Sequence, residues 1–214
     1  MSSVASLGQT DKWLRVFLDA LAPAPCTMSI VFPTDDEIRR SLNGYGSGGS
    51  IHMKVQSAAQ QRQLQYMRPY LAHWAGDRES DAGKQDAGRR RAAPHVKSYI
   101  RFCDEKMDSV DWAMVTSANL STQAWGAAVN AAGEVRICSY EIGVVVWPQL
   151  YSAAAMVPTF KADCPPSTTD SVDGVIGLRM PYDLPLTPYK EDDAPWCATA
   201  SHTEPDWLGQ TWTV

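Results

Sequence analysis

Between Pro94 and Pro148 lies most of the sequence that can form a sheet, together with its densest run of phosphate-directed side chains. Residues 95–103 and 112–117 carry the β-branched and aromatic content of strands and are predicted to pair as a hairpin across 104–111. Residues 121–128 are predicted to form a short helix, and 135–147 one long strand or two strands joined at 141–143. Val144-Val145-Val146-Trp147 is apolar without alternation, the pattern of a strand buried on both faces. His95 and Lys97 stand at i and i+2 of the first strand, so their side chains share one face. An imidazole beside a fixed cation suits phosphoryl chemistry, because the cation holds a phosphate oxygen while the imidazole attacks phosphorus or moves a proton. The second strand runs into Thr116-Ser117-Ala118-Asn119-Leu120-Ser121, whose hydroxyls and amide can close on the same phosphate.

Around this block the remaining elements are shorter. Thr10 offers a cap for a helix over 11–21, with Trp13, Val16, Phe17, Ala20 and Leu21 at helical spacing and Pro23 and Pro25 ending it. Residues 28–32 form an apolar strand, and Thr34 with Glu37 makes a capping box for a helix through about Leu42. The glycine-rich segment 43–50 contains Tyr45 but lacks the Lys-Ser/Thr ending of a nucleotide-cradling loop. Residues 57–74 carry the longest helical pattern, with Leu64, Met67, Leu71 and Trp74 on one side, and Pro69 kinks or breaks it. Residues 76–93 are charged and nearly free of apolar side chains, as in a flexible loop, and Arg89-Arg90-Arg91 is expected to be solvated. Beyond Pro148 the chain becomes proline-rich and is expected to wrap the surface rather than form a second core. The mixture predicts an α/β fold, a mixed β-sheet flanked by helices, as one domain over 1–214.

Composition narrows the chemistry. A chain of 214 residues with formal charge −5 has no global nucleic-acid signature, so any such contact is local. No apolar run approaches the ~20 residues of a membrane helix, so no membrane partner is expected. Five cysteines without a Cys-x-x-Cys pair indicate neither a zinc site nor a disulfide framework, and no metal or cofactor is called for. A reducing compartment is expected.

His52-Met53-Lys54 repeats the spacing of His95-Val96-Lys97. An amphipathic helix follows Lys54, with no Ser/Asn cluster, so His52 is taken as an ordinary structural histidine; Lys54 is either surface decoration or a local substrate contact.

The blocks Gly48-Gly49-Ser50, Pro94-His95-Val96-Lys97, residues 115–121 with Trp125-Gly126, Ser139-Tyr140-Glu141-Ile142-Gly143 and Pro181-Tyr182-Asp183-Leu184-Pro185 occur in order. In these blocks the chain resembles the C-terminal half of the tyrosyl-DNA phosphodiesterase family, a branch of the phospholipase D superfamily. The broader superfamily has an Asp five residues after the Lys, where this chain has Phe102, so the motif takes the His-Lys-Asn form of that branch. The resemblance implies a phospholipase D-like α-β-α sandwich and metal-independent hydrolysis of the bond between a DNA 3′-phosphate and a topoisomerase tyrosine. It also implies action on related blocked 3′ ends, a role in DNA repair and a nuclear location.

In that family two pseudo-symmetric halves each supply one His-Lys-Asn set. By resemblance His95 is the acid and base, Lys97 and Asn119 hold the non-bridging oxygens, and Glu141 orients the nucleophilic imidazole of the other half. Ser2, Ser3 and Ser6 match a loop that grips the DNA backbone, with Ser117 and Ser121 near the phosphates. Ser50 and Trp196 match the side that handles the tyrosyl peptide. The expected partners are single-stranded DNA or DNA 3′ ends, a topoisomerase-derived tyrosyl peptide and an N-terminal half carrying the nucleophile. The first half is expected to lie outside this chain, which alone should turn over poorly. Two other readings stay open: a homodimeric phospholipase D-like nuclease in which two copies of His95 meet, and a catalytically silent DNA- or protein-binding domain.

Overall fold

A computed structural model describes residues 1–21, 27–74, 83–165 and 174–214. In chain order the elements are β1 (Ser3–Ala5), α1 (Lys12–Leu21), β2 (Ile30–Val31), α2 (Asp35–Arg39), a 3-10 segment (Gly44–Ser50), β3 (His52–Met53), α3 (Ala58–Met67), a 3-10 turn (Arg68–Tyr70) and β4 (Leu71–Ala72). Then come β5 (Ser98–Phe102), β6 (Val110–Thr116), β7 (Leu120–Ser121), α4 (Thr122–Trp125), β8 (Gly143–Val146), a 3-10 turn (Pro148–Tyr151), β9 (Ala155–Thr159) and β10 (Val175–Arg179). The strands form four small groups: parallel β3-β1-β7, parallel β2-β4, parallel β9-β10 and antiparallel β5-β6-β8.

Local chemistry explains most boundaries. The expected capping box starts α2: the Thr34 hydroxyl accepts from the Glu37 amide and the Glu37 carboxylate accepts from the Thr34 amide. Helix α2 ends at Arg39, short of Leu42. Ser57 and Gln60 make a second capping box for α3. The helical pattern of 57–74 breaks beside Pro69, as that residue requires, but Leu71 then lies on a strand, and the chain beyond it no longer continues the helix. In α1 Leu14 and Phe17 are buried and Trp13, Leu18 and Leu21 pack against the core, so the expected stripe keeps Trp13, Phe17 and Leu21, whereas Val16 and Ala20 face solvent and Leu14 and Leu18 take their place. Pro23, Pro25 and Cys26 lie outside the described residues.

One core joins the N-terminal segment, the helices and the tail. Val4, Met53 and Leu120 point from three adjacent strands into it, alongside Phe32, Ile38, Ile51 and Met67. Full burial of such side chains contributes about 1.5–3 kcal/mol each. The tail does more than wrap the surface. Trp196 is fully buried in this core, and backbone bridges join Thr34 to Pro195 and Ala72 to Pro188. A proline-rich segment lacks periodicity, so a buried indole such as Trp196 is invisible to a pattern search.

Two further expectations are corrected. Arg90 is not a solvated charge, because it pairs with the buried Asp183 at 2.7 Å, whereas Arg89 and Arg91 are exposed, the Arg91 guanidinium lying 5.3 Å from the centre of the Trp207 ring. In the described part of 76–93 the Gln85 amide also donates to the Leu184 carbonyl, and the Trp74 indole donates to the Ala92 carbonyl. The strand carrying Val144 and Val145 is an edge, not an interior strand, and these side chains are 67% and 44% exposed. Residues 135–142 form no strand.

Candidate active site

The site grows from the place where three chain segments meet. Strand β1 lies between β3 and β7, with Ser3 opposite His52 and Val4 opposite both Met53 and Leu120. Because Val4, Met53 and Leu120 turn into the core, Ser3, His52 and Asn119 lie on the other face, in one row across the three strands. Asn119 is held there firmly. Its side-chain oxygen accepts from the Ser3 amide at 2.9 Å and from the Ser2 hydroxyl at 3.1 Å, and its carbonyl accepts from the Trp125 indole. The backbone amide can only donate, so it fixes which end of the Asn119 amide is oxygen. The NH2 end therefore points away, without a protein partner among the described residues.

His95 and Lys97 stand just ahead of β5. The Thr116 amide donates to the Lys97 carbonyl, which ties the pair to the end of β6 and hence to the 116–121 segment. The Lys97 ammonium lies 3.5 Å from His95 Nε2. Burial, the Lys97 charge and, third, the charge of His52 all disfavour a proton on His95 and lower its pKa. Lys97 also lies close to the start of β1.

The remaining residues divide into those at this surface and those beneath it. Ser50 is exposed at the end of the 44–50 segment, and Ser6 is exposed with a positive φ of 58°. Ser2 is buried and acts through Asn119. The Ser117 hydroxyl accepts from the Ile142 amide at 3.0 Å, pinning 139–143 to the end of β6. Ser121 is buried and caps α4 by accepting from the Ala124 amide. Glu141 sits in the pinned loop, close enough to add to the burial that pushes the Tyr99 hydroxyl pKa upward. Trp196 is not brought to this surface. It stacks on Tyr45 and His202 and donates to the Gly48 carbonyl at 2.9 Å, so it supports the 48–50 turn from below. Sequence reasoning set aside His52, although the parallel register seats it beside Ser3. Pairing between strands far apart in sequence is the signal that a local motif search lacks.

Among the described residues no group of three or more His, Cys, Asp or Glu side chains gathers as a metal site. A base or acid of depressed pKa, a neighbouring cation and an outward amide can bind an anionic oxygen and move a proton beside it.

A family profile described as tyrosyl-DNA phosphodiesterase matches residues 1–190. The chain belongs to that family. A probable tyrosyl-DNA phosphodiesterase of Schizosaccharomyces pombe is 32% identical over 99% of this chain and 41% of its own length. Tyrosyl-DNA phosphodiesterase 1 of Arabidopsis thaliana is 29% identical over 97% of this chain and 37% of its own length. The chain thus spans about two fifths of these family members. The crystal structure of the yeast tyrosyl-DNA phosphodiesterase superposes with a TM-score of 0.59 at 22% identity, over 92% of this chain and 48% of that one. The fold is therefore mixed α/β and phospholipase D-like, as the resemblance implies.

Proposed function

We propose that the chain is the proton-transferring half of a nuclear DNA-repair phosphodiesterase that hydrolyses 3′-phosphotyrosyl and related blocked 3′ ends of DNA. The observation that supports this reading is the Lys97 ammonium 3.5 Å from His95 Nε2, with the Lys97 carbonyl tied to the Thr116 amide at the head of the segment that carries Asn119, in a member of this family. In the first step a histidine of the other half bonds to phosphorus as the bond to the tyrosyl oxygen breaks. Protonated His95 gives its proton to that oxygen. In the second step neutral His95 takes a proton from water, whose oxygen bonds to phosphorus as the phosphorus–nitrogen bond breaks. Lys97 and the Asn119 amide hold the non-bridging oxygens throughout.

The lowered pKa of free His95 suits the second step. An anionic phosphate against Lys97 offsets that cation and restores the proton that the first step requires. Glu141 orients the partner imidazole, Ser3, Ser6 and Ser50 line the substrate path, and Ser2, Ser117 and Ser121 hold the frame. Trp196 positions the peptide-side turn. The uncovered apolar residues Ile142, Val144 and Val115 support docking of the other half on the β5-β6-β8 sheet.

The test is single-turnover hydrolysis of a 3′-phosphotyrosyl oligonucleotide. The chain joined to the other half should cleave it, the 214-residue chain alone should not, and His95→Asn in the joined protein should trap a phosphohistidine adduct. Comparable turnover by the lone chain, or by the His95→Asn protein, would refute the assignment.

A further inference from the structure

We propose that His52 is a further phosphate-binding residue, its imidazole donating to an oxygen of the phosphate held by Lys97 and Asn119. The inference rests on the reading of that phosphate site. Three observations lead to it. First, the parallel register puts His52 opposite Ser3, whose amide holds Asn119, and the His52 amide itself donates to the Ser2 carbonyl at 2.9 Å. His52, Ser3 and Asn119 thus form a row on the face turned from the core, fixed by backbone bonds rather than by flexible side chains. Second, the His52 side chain is exposed and makes no hydrogen bond among the described residues, so its imidazole is available to a ligand. Third, basic side chains gather here. Lys97 touches His95, the charge of His52 reaches His95, and Lys54 follows His52 by two residues. Among the described residues none of these four makes an ion pair. A phosphate with several acceptor oxygens can take donors from all of these side chains.

A terminal phosphate monoester carries more charge than a diester, so a 3′-phosphorylated end profits most from the added donor. The test compares binding of the 214-residue chain to one short oligodeoxynucleotide ending in a 3′-phosphate or a 3′-hydroxyl. The wild type should favour the phosphorylated end. His52→Ala should reduce that preference roughly tenfold, the loss of one charge-assisted hydrogen bond. His52→Gln, which keeps an N–H donor, should fall between. An unchanged thermal midpoint checks that the exposed substitution leaves the fold intact. If His52→Ala keeps the full preference while Lys97→Ala abolishes it, the phosphate site stands and the role of His52 is overturned. If neither substitution changes the preference, or the wild type has none, the phosphate site fails and His52 fails with it.

Discussion

Gly48→Ala is a direct probe of how the tail holds the site. A Cβ placed on Gly48 falls 2.5 Å from Trp196 Cζ2 and 2.7 Å from its Nε1, well inside the ~3.5–4.0 Å at which such atoms pack. The indole cannot retreat easily. It is fully buried, stacked on His202 at 4.6 Å and on Tyr45 at 5.6 Å, and edged by Trp212 at 5.6 Å. Overpacking costs about 1–3 kcal/mol, and a displaced indole also loses its bond to the Gly48 carbonyl, about 1 kcal/mol. The sum, about 2–4 kcal/mol, corresponds to a fall in Tm of roughly 5–15 °C for a domain of this size. Thermal unfolding followed by tryptophan fluorescence measures it. Gly46→Ala is the matched control, because its Cβ meets nothing within 4 Å. That variant should unfold within about 4 °C of wild type and no lower than it, given the small stabilising effect of a compatible Gly→Ala change. Equal midpoints for the two variants would refute the packing argument, and with it the supporting role given to Trp196.

Replacing Lys97 with Gln removes a cation beside His95, so the His95 pKa should rise. NMR titration of the imidazole resonances reads this, and a fall or no change would contradict the electrostatic account. Asn119→Ala leaves the Ser3 amide and the Ser2 hydroxyl without their acceptor, and chemical denaturation should show a loss of about 1–3 kcal/mol, against no change if water replaces the amide fully. His73 should make stability depend on pH. Burial alone would lower its pKa, but the buried Glu37 at 3.5 Å and Asp193 at 2.7 Å outweigh burial and raise it. Asp193 makes the closer contact, while Glu37 acts from the more buried position. The imidazolium therefore contributes its full stability below the unfolded value of about 6.5 and loses it as pH rises through the higher folded value. The stability gap between wild type and His73→Gln should shrink over that window, and a gap constant with pH would rule the clamp out.

The local parts of this molecule were legible in its sequence, and the non-local parts were not. Thr34 and Glu37 announce a helix start because both halves of the box lie within four residues. The 95–117 hairpin is legible for a similar reason: its strands are consecutive, and β5 pairs with β6 across a short turn. The row His52, Ser3, Asn119 joins segments about 50 and 115 residues apart by parallel pairing of strands two or three residues long. Strands so short show no alternation to detect. Trp196 is a related case, since burial of one indole in a proline-rich tail follows from tertiary contact alone.

The run Val144 to Trp147 carries a different lesson. Its pattern reads as burial on both faces, yet β8 is the outer strand of its sheet, with Val144 67% exposed and Val115, on the neighbouring strand, 62% exposed. Hydrophobic pattern records every surface a chain buries, against itself or against a partner. Soluble proteins blunt free edges with charge, proline or bulges, and β8 has none of these within its four residues. The neighbouring loop adds Ile142, 79% exposed, to the same apolar stretch. In the proposed two-half arrangement the apolar pattern and the uncovered strand describe one surface. The Ser117–Ile142 bonds that pin this loop to the end of β6 then link docking of the other half to the position of Glu141. A charge placed at Val144 should thus weaken association of the halves while leaving phosphate binding at Lys97 intact. Loss of both together would place the surface inside the phosphate site rather than beside it.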